Sequence, residues 1–165
     1  MFTVSGAEVF SINEIDLAAS TLGGGTEPFT ASLWTDSGGV PGSQLAGASW
    51  SLTTSDAFFS CCSLVSVTGI SGIDLTGGQQ YFLILAPPTL TSSTFFLWDY
   101  NNQGVNGTQL DSKNGGAFGL NNGIGNPLAA FDVIGTSVPE PSPALLLGAG
   151  LIGILAARRR KLQRA

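Results

Sequence analysis

The order of apolar and polar residues divides the chain into a long body of short alternating segments and a brief greasy end. Residues 28–35 read PFTASLWT, with Phe29, Ala31 and Leu33 on one side of an extended chain and Thr30, Ser32 and Trp34 on the other. Side chains alternate across a strand, so this spacing predicts a half-buried β-strand. The next residues, DSGGVPG at 36–42, concentrate the types that stop a strand and shape a turn. Further strands are predicted over 11–18, 45–53, 64–68, 79–86, 93–100 and 129–134. Tyr81, Phe82, Leu83, Ile84 and Leu85 form an unbroken apolar run, the pattern of a central strand covered on both faces. Pro87 and Pro88 end it. Phe2 and Val4 read as a strand already under way at the first residues. No helical period appears before residue 143. Seven or eight short antiparallel strands parted by Gly-rich turns predict an all-β fold, an antiparallel β-sandwich of jelly-roll type, over residues 1–136.

Composition agrees with that pattern. The 165 residues are 43% apolar and only 10% charged, with 23 glycines to serve turns. Enough apolar surface is present for a core, which excludes general disorder. Charge is unevenly spread. Residues 1–142 hold all eleven acidic residues and one base, Lys113, a net of −10; residues 143–165 hold the other five bases, a net of +5. A body this acidic repels phosphate backbones, so nucleic acid is excluded as its partner.

The basic end follows a distinct apolar run. Residues 144–157 read ALLLGAGLIGILAA, without one polar side chain. As a helix this run is about 21 Å long, against the ~30 Å hydrocarbon core of a bilayer. Length alone suits a buried helix as well as a short membrane span. The flanks favour the membrane. VPEPSP at 138–143 stops the preceding structure and places Pro143 at the start of a helix. Arg158, Arg159, Arg160 and Lys161 then supply a positive cytoplasmic stop whose long side chains extend the span. The expected organisation is therefore a body over 1–136, a Pro-rich linker over 137–143, a transmembrane helix over 144–157 and a basic tail over 158–165.

Pro139-Glu140-Pro141, an apolar helix and a terminal Arg cluster, in that order, resemble the PEP-CTERM sorting signal. The resemblance covers 27 residues, 138–164. It implies recognition of Pro139, Glu140 and Pro141 by exosortase, a membrane enzyme, with cleavage near that motif. It also implies transient anchoring in the inner membrane, then release to the outer surface or into extracellular polysaccharide. A protein with this tail is expected to start with a secretory signal, yet MFTVSG at 1–6 has neither a basic stretch nor an apolar one. The expectation is that upstream residues are missing from the sequence; the alternative is a truncated copy that is not exported. LWTDSGGVPGSQL at 33–45 and GGQQYFLIL at 77–85 look similar, more loosely, to the sandwich ectodomain often found ahead of such a tail, a module without established catalysis.

Candidate chemistry in the body is sparse. With no His, imidazole-based triads and His-containing metal sites are excluded. Asp36, Asp56, Asp74, Asp99, Asp111 and Asp132 fall at expected strand ends and turns, where Asp serves backbone hydrogen bonds, so no enzyme is expected. Cys61 and Cys62 are adjacent; reduced thiols, a strained vicinal disulfide and an intermolecular link all stay open. Asp99, Asn101 and Gln103, with Gly104 at the sixth position, echo a Ca²⁺ loop, although Leu110 stands where a bidentate Glu belongs. The competing reading is an ordinary Asn/Gly-rich loop, and no other cofactor is expected. Trp34, Trp50, Trp98 and Tyr100 are candidates for stacking on sugar rings if they share an outer face, against ordinary core packing. Thr53, Thr54, Thr89, Thr91 and Thr94 lack the regular spacing of an ice-binding array. The expected function is an exported surface or matrix protein with a structural or adhesive body; the alternative is a carbohydrate- or Ca²⁺-binding sandwich.

Overall fold

A computed structural model of the chain describes residues 1–22, 25–58, 64–89, 96–113, 115–120 and 126–139. The described residues contain strands and no helix. In chain order the strands are β1 (Phe2–Thr3), β2 (Val9–Thr21), β3 (Glu27–Asp36), β4 (Pro41–Thr54), β5 (Leu64–Thr68), β6 (Asp74–Thr76) and β7 (Gln80–Ala86). There follow β8 (Phe96–Trp98), β9 (Asn106–Gly107), β10 (Leu110–Asp111), β11 (Gly119–Leu120), β12 (Asn126–Pro127) and β13 (Phe131–Val138). One sheet runs in the order β1-β7-β3-β4. The other is centred on β2, with β13 on one side, β5 and β6 on the other, and β8 at the far end. Between β8 and β13 the chain makes two small ribbons, β9 with β12 and β10 with β11. Among the described residues the strand ladders are antiparallel, as the alternating sequence predicts, and one isolated bridge, Thr21 with Ala57, is parallel.

The two sheets bury one core between them. Phe29, Ala31 and Leu33 are fully buried, so the face read from the PFTASLWT alternation is the inner one. Ile12, Ile15, Leu17 and Ala19 meet them from β2. Each large side chain removed from water contributes about 1.5–3 kcal/mol before the entropy of ordering is counted. Phe29 also stacks on Phe96, with centroids 5.2 Å apart, tying β8 to the first sheet.

Ile12 and Ile15 are three residues apart, a spacing that a regular strand would send to opposite faces. A bulge resolves this. In the β2–β13 ladder Ile134 faces Glu14 and Gly135 faces Ile12, which leaves Asn13 as an extra residue. The inner face therefore switches from even to odd positions, and Glu14 and Asp16 stay outside. Asn13 is exposed, and its carbonyl accepts from the Ile70 amide at 3.0 Å.

The turn at 36–42 closes as its residues predict. Asp36 Oδ1 accepts from the Gly39 amide at 2.9 Å, and Gly38 and Gly39 take positive φ. β4 then starts at Pro41, earlier than the expected 45. Trp34 pairs with Gln44 and Ser32 with Ser49, so the residues between form a second, larger bulge, with Gly47 at φ 74°. The central run is buried at Tyr81, Phe82 and Leu83, as expected, and becomes half-buried at Ile84 and Leu85. β6 and the two ribbons were not expected, being too short to show a period. Of the strand expected over 93–100, 96–98 forms β8, and the remainder down to residue 93 lies outside the described residues. So do Cys61, Cys62, Glu140, Pro141, the apolar run 144–157 and the basic cluster Arg158, Arg159, Arg160 and Lys161.

Candidate functional site

Two regions carry functional information: an aromatic and amide-lined cleft on the body, and the end of β13 where the tail begins. The cleft grows out of the register of the first sheet. Thr30 faces Ala86, Ser32 faces Ile84 and Trp34 faces Phe82, which places these six residues on one outer face. An outer face ordinarily lies open to water. Here Ser32 and Phe82 are buried, at 8% and 3% exposure, because the excursion between β8 and β13 folds against this side. The result is a cleft of about 590 Å³, bordered by Trp34 and Phe82 on the sheet and by Gln109, Asp111 and Phe118 on the excursion. Small-molecule sites commonly have about 300–1,000 Å³.

Within the cleft the Trp34 indole is fixed by its own strand, its Nε1 donating to Ser32 Oγ at 2.9 Å. Gln44 and Ser49, brought together by the β4 bulge, flank it and are exposed. Gln109 Oε1 is buried and has no hydrogen-bond partner. A buried acceptor left unpaired costs about 1–3 kcal/mol. Asp111 is the one acidic or basic side chain among the described residues that line the cleft.

The three tryptophans do not share an outer face. Trp34 lies outside the first sheet. Trp50 sits opposite the fully buried Ala31 and packs against the core. Trp98 donates from Nε1 to the Ala130 carbonyl at 3.0 Å and packs on Phe131, centroids 5.6 Å apart, at the sheet edge where it also borders the cleft. Tyr100 is exposed on the excursion. The residues that accompany Trp34 are Gln44, Gln109 and Phe118, which sequence reasoning did not single out. They come from three separate segments without periodicity, and only the topology joins them.

The Asp99 loop is held together by its own polar groups. Asp99 Oδ1 accepts from Ser20 Oγ at 2.9 Å. Asn101 Oδ1 accepts from the amides of Gln103 and Val105, at 3.1 and 3.0 Å. Its Nδ2 donates to the carbonyls of Val105 and Leu128. Gln103 Nε2 donates to Asn102 Oδ1 at 2.8 Å. These are the bonds of an Asx-type turn. Among the described residues no group of three or more Asp, Glu, Cys or His is placed to hold a metal ion.

At the other region, β13 stays paired to its last residue, Val138 opposite Val9. Pro139 follows; it has no amide hydrogen and cannot extend the ladder. It is exposed. No helix among the described residues is long and apolar enough to cross a membrane.

Comparison with known proteins bears on this second region. Residues 137–161 match the family model of the PEP-CTERM protein-sorting motif, so the chain carries that motif, starting at the end of β13. No curated protein and no solved structure matches the chain.

Proposed function

We propose that this chain is an exported bacterial surface protein, sorted by exosortase and serving outside the cell as a structural or adhesive component. The observation that carries the reading is the sorting motif at residues 137–161, starting on the final residues of β13. Pro139, Glu140 and Pro141 are the recognition element. The run 144–157 is the temporary anchor in the inner membrane, and Arg158, Arg159, Arg160 and Lys161 hold its cytoplasmic end. Cleavage near the motif then frees the body to the outer surface or to extracellular polysaccharide. The net charge of −10 over residues 1–142 suits that destination, because like-charged bodies stay dispersed after release.

The test is cellular. The chain, placed behind a secretory leader and given an N-terminal tag, is produced in a bacterium that has exosortase and in the same strain without it. With the enzyme, a shortened product is expected outside the inner membrane. Without it, or with Pro139, Glu140 and Pro141 all changed to Ala, the full-length chain is expected in the inner-membrane fraction. Identical mass and location in all three cases would overturn the proposal.

A further inference from the structure

The cleft on the outer face of the first sheet has a lining that the sorting role does not use. We infer that it is a binding site for neutral saccharide rings, with Trp34 as the stacking platform and Gln109 as a hydrogen-bonding anchor. The inference deepens the adhesive role proposed above and takes its biological setting from it; the binding itself depends on the cleft alone.

Three observations carry it. First, Trp34 is half-buried, borders the cleft, and has its indole N–H already committed to Ser32 Oγ. The ring is thereby oriented before any ligand arrives, which lowers the ordering cost of binding. A pyranose presents a flat C–H face of matching size to such a ring, and aromatic side chains bury large apolar area at low entropic cost.

Second, the polar groups of the lining are neutral. Thr30, Gln44, Ser49, Thr108, Gln109 and Ser112 offer hydroxyl and amide groups, and Asp111 is the one charged side chain, with Met1 also on the lining. Hydroxyls and amides both donate and accept, as sugar hydroxyls do. An anionic ligand would meet Asp111; no lining side chain is cationic, and burial of the Met1 α-amino group disfavours its charged form, so the class is neutral saccharide.

Third, Gln109 Oε1 is a buried acceptor without a partner. A bound hydroxyl reaches this covered atom once the Gln109 side chain turns toward the cleft, and the new donor then removes the penalty that the free protein carries. The same atom predicts an unusual signature. Replacing Gln109 by Leu takes away an unsatisfied group, so it leaves the free protein as stable or more stable while weakening binding. A side chain with a merely structural role would show the reverse.

The experiment uses the full chain in a zwitterionic detergent that has no sugar headgroup. Neutral gluco-, manno- and chito-oligosaccharides are titrated up to about 10 mM and followed by tryptophan fluorescence and calorimetry. Saturable binding of at least one is expected. Trp34→Ala should lower affinity by about tenfold or more, and Trp34→Phe, which keeps an apolar ring in place, by less. Gln109→Leu should lower affinity without lowering Tm. Trp50→Phe, on the core side, should leave affinity unchanged. An oligogalacturonate should bind more weakly than the neutral probes. The inference fails if none of the neutral probes binds, if the Trp34 variants retain wild-type affinity, if Gln109→Leu lowers Tm with affinity intact, or if the anionic probe binds as well. Because binding is measured on purified protein, these outcomes are independent of whether exosortase processes the chain.

Discussion

Gly135→Ala is the smallest change expected to pull β13 away from the sandwich. Gly135 lies opposite Ile12, beside the bulged Asn13. A Cβ there would stand 2.2 Å from the Ser11 carbonyl oxygen and 2.8 Å from both Ile12 Cα and Phe10 Cε1. The first two are backbone atoms of the neighbouring strand and cannot rotate aside. Relief requires the end of β13 to lift from β2 over the four pairs that run from Gly135–Ile12 to Val138–Val9. That removes about two to four backbone hydrogen bonds at a net ~1 kcal/mol each, so the expected loss is about 2–4 kcal/mol. Such a loss is a large share of the ~5–15 kcal/mol that stabilises an ordinary domain. Urea unfolding of residues 1–139, followed by tryptophan fluorescence, measures it. Gly119→Ala serves as the matched control, because a Cβ at Gly119 meets no atom within 4 Å. Hydrogen exchange should show faster amides at 9–12 and 135–138 in the Gly135 variant only. If Gly135→Ala unfolds within about 0.5 kcal/mol of the parent and those amides stay protected, the close approach of the two strands is not real.

Two further changes probe the core and the outer face of the second sheet. Phe29→Ala removes a fully buried ring stacked on Phe96 and should cost about 3–5 kcal/mol in thermal unfolding, whereas Phe29→Leu should cost far less. Asp132 lies directly opposite Asp16 in the β2–β13 ladder, and like charges so placed repel, so Asp132→Asn should raise stability by about 0.2–1 kcal/mol. That gain should shrink as salt is added, because both groups are at the surface.

The layout of the sandwich was legible wherever a strand was long enough to show its period. Phe29, Ala31 and Leu33 alternate in the sequence, and all three are core; residues 64–68 form a strand with the expected bounds. Bulges broke the reading elsewhere. Ile12 belongs to the core, yet its parity disagrees with that of Ile15 and Leu17, because the extra residue at Asn13 is a property of the paired strands. Ser32 illustrates a second blind spot. Its polar character and its position opposite the core residues predicted exposure, but the excursion between β8 and β13 covers it. That excursion is held by residues such as Asn101, whose four hydrogen bonds reach from Gln103 to Leu128. Contacts over such distances leave no periodic trace. The sorting motif was the opposite case, since its meaning lies in the order of short elements along the chain and needs no tertiary contact to be read.

That difference has a physical reason. A sorting signal is read from the order of its own short elements, and here its matched residues begin on the last two positions of β13. In this chain the described ladders close at Val138, and the next residue, Pro139, offers no amide to any neighbouring strand. A cut beyond Pro139 therefore breaks none of the described ladders and removes none of the described core residues. The cleft lies on the outer side of the first sheet, on residues from β3, β4, β7 and the excursion, and the one β13 residue on its described lining, Phe131, stands at the opposite end of that strand from Pro139. All the described lining residues, Trp34 and Gln109 among them, precede Pro139 and are kept after such a cut. Address and body thus occupy separate stretches: the matched sorting motif begins at residue 137, and the described face that carries Trp34 is built from residues before it.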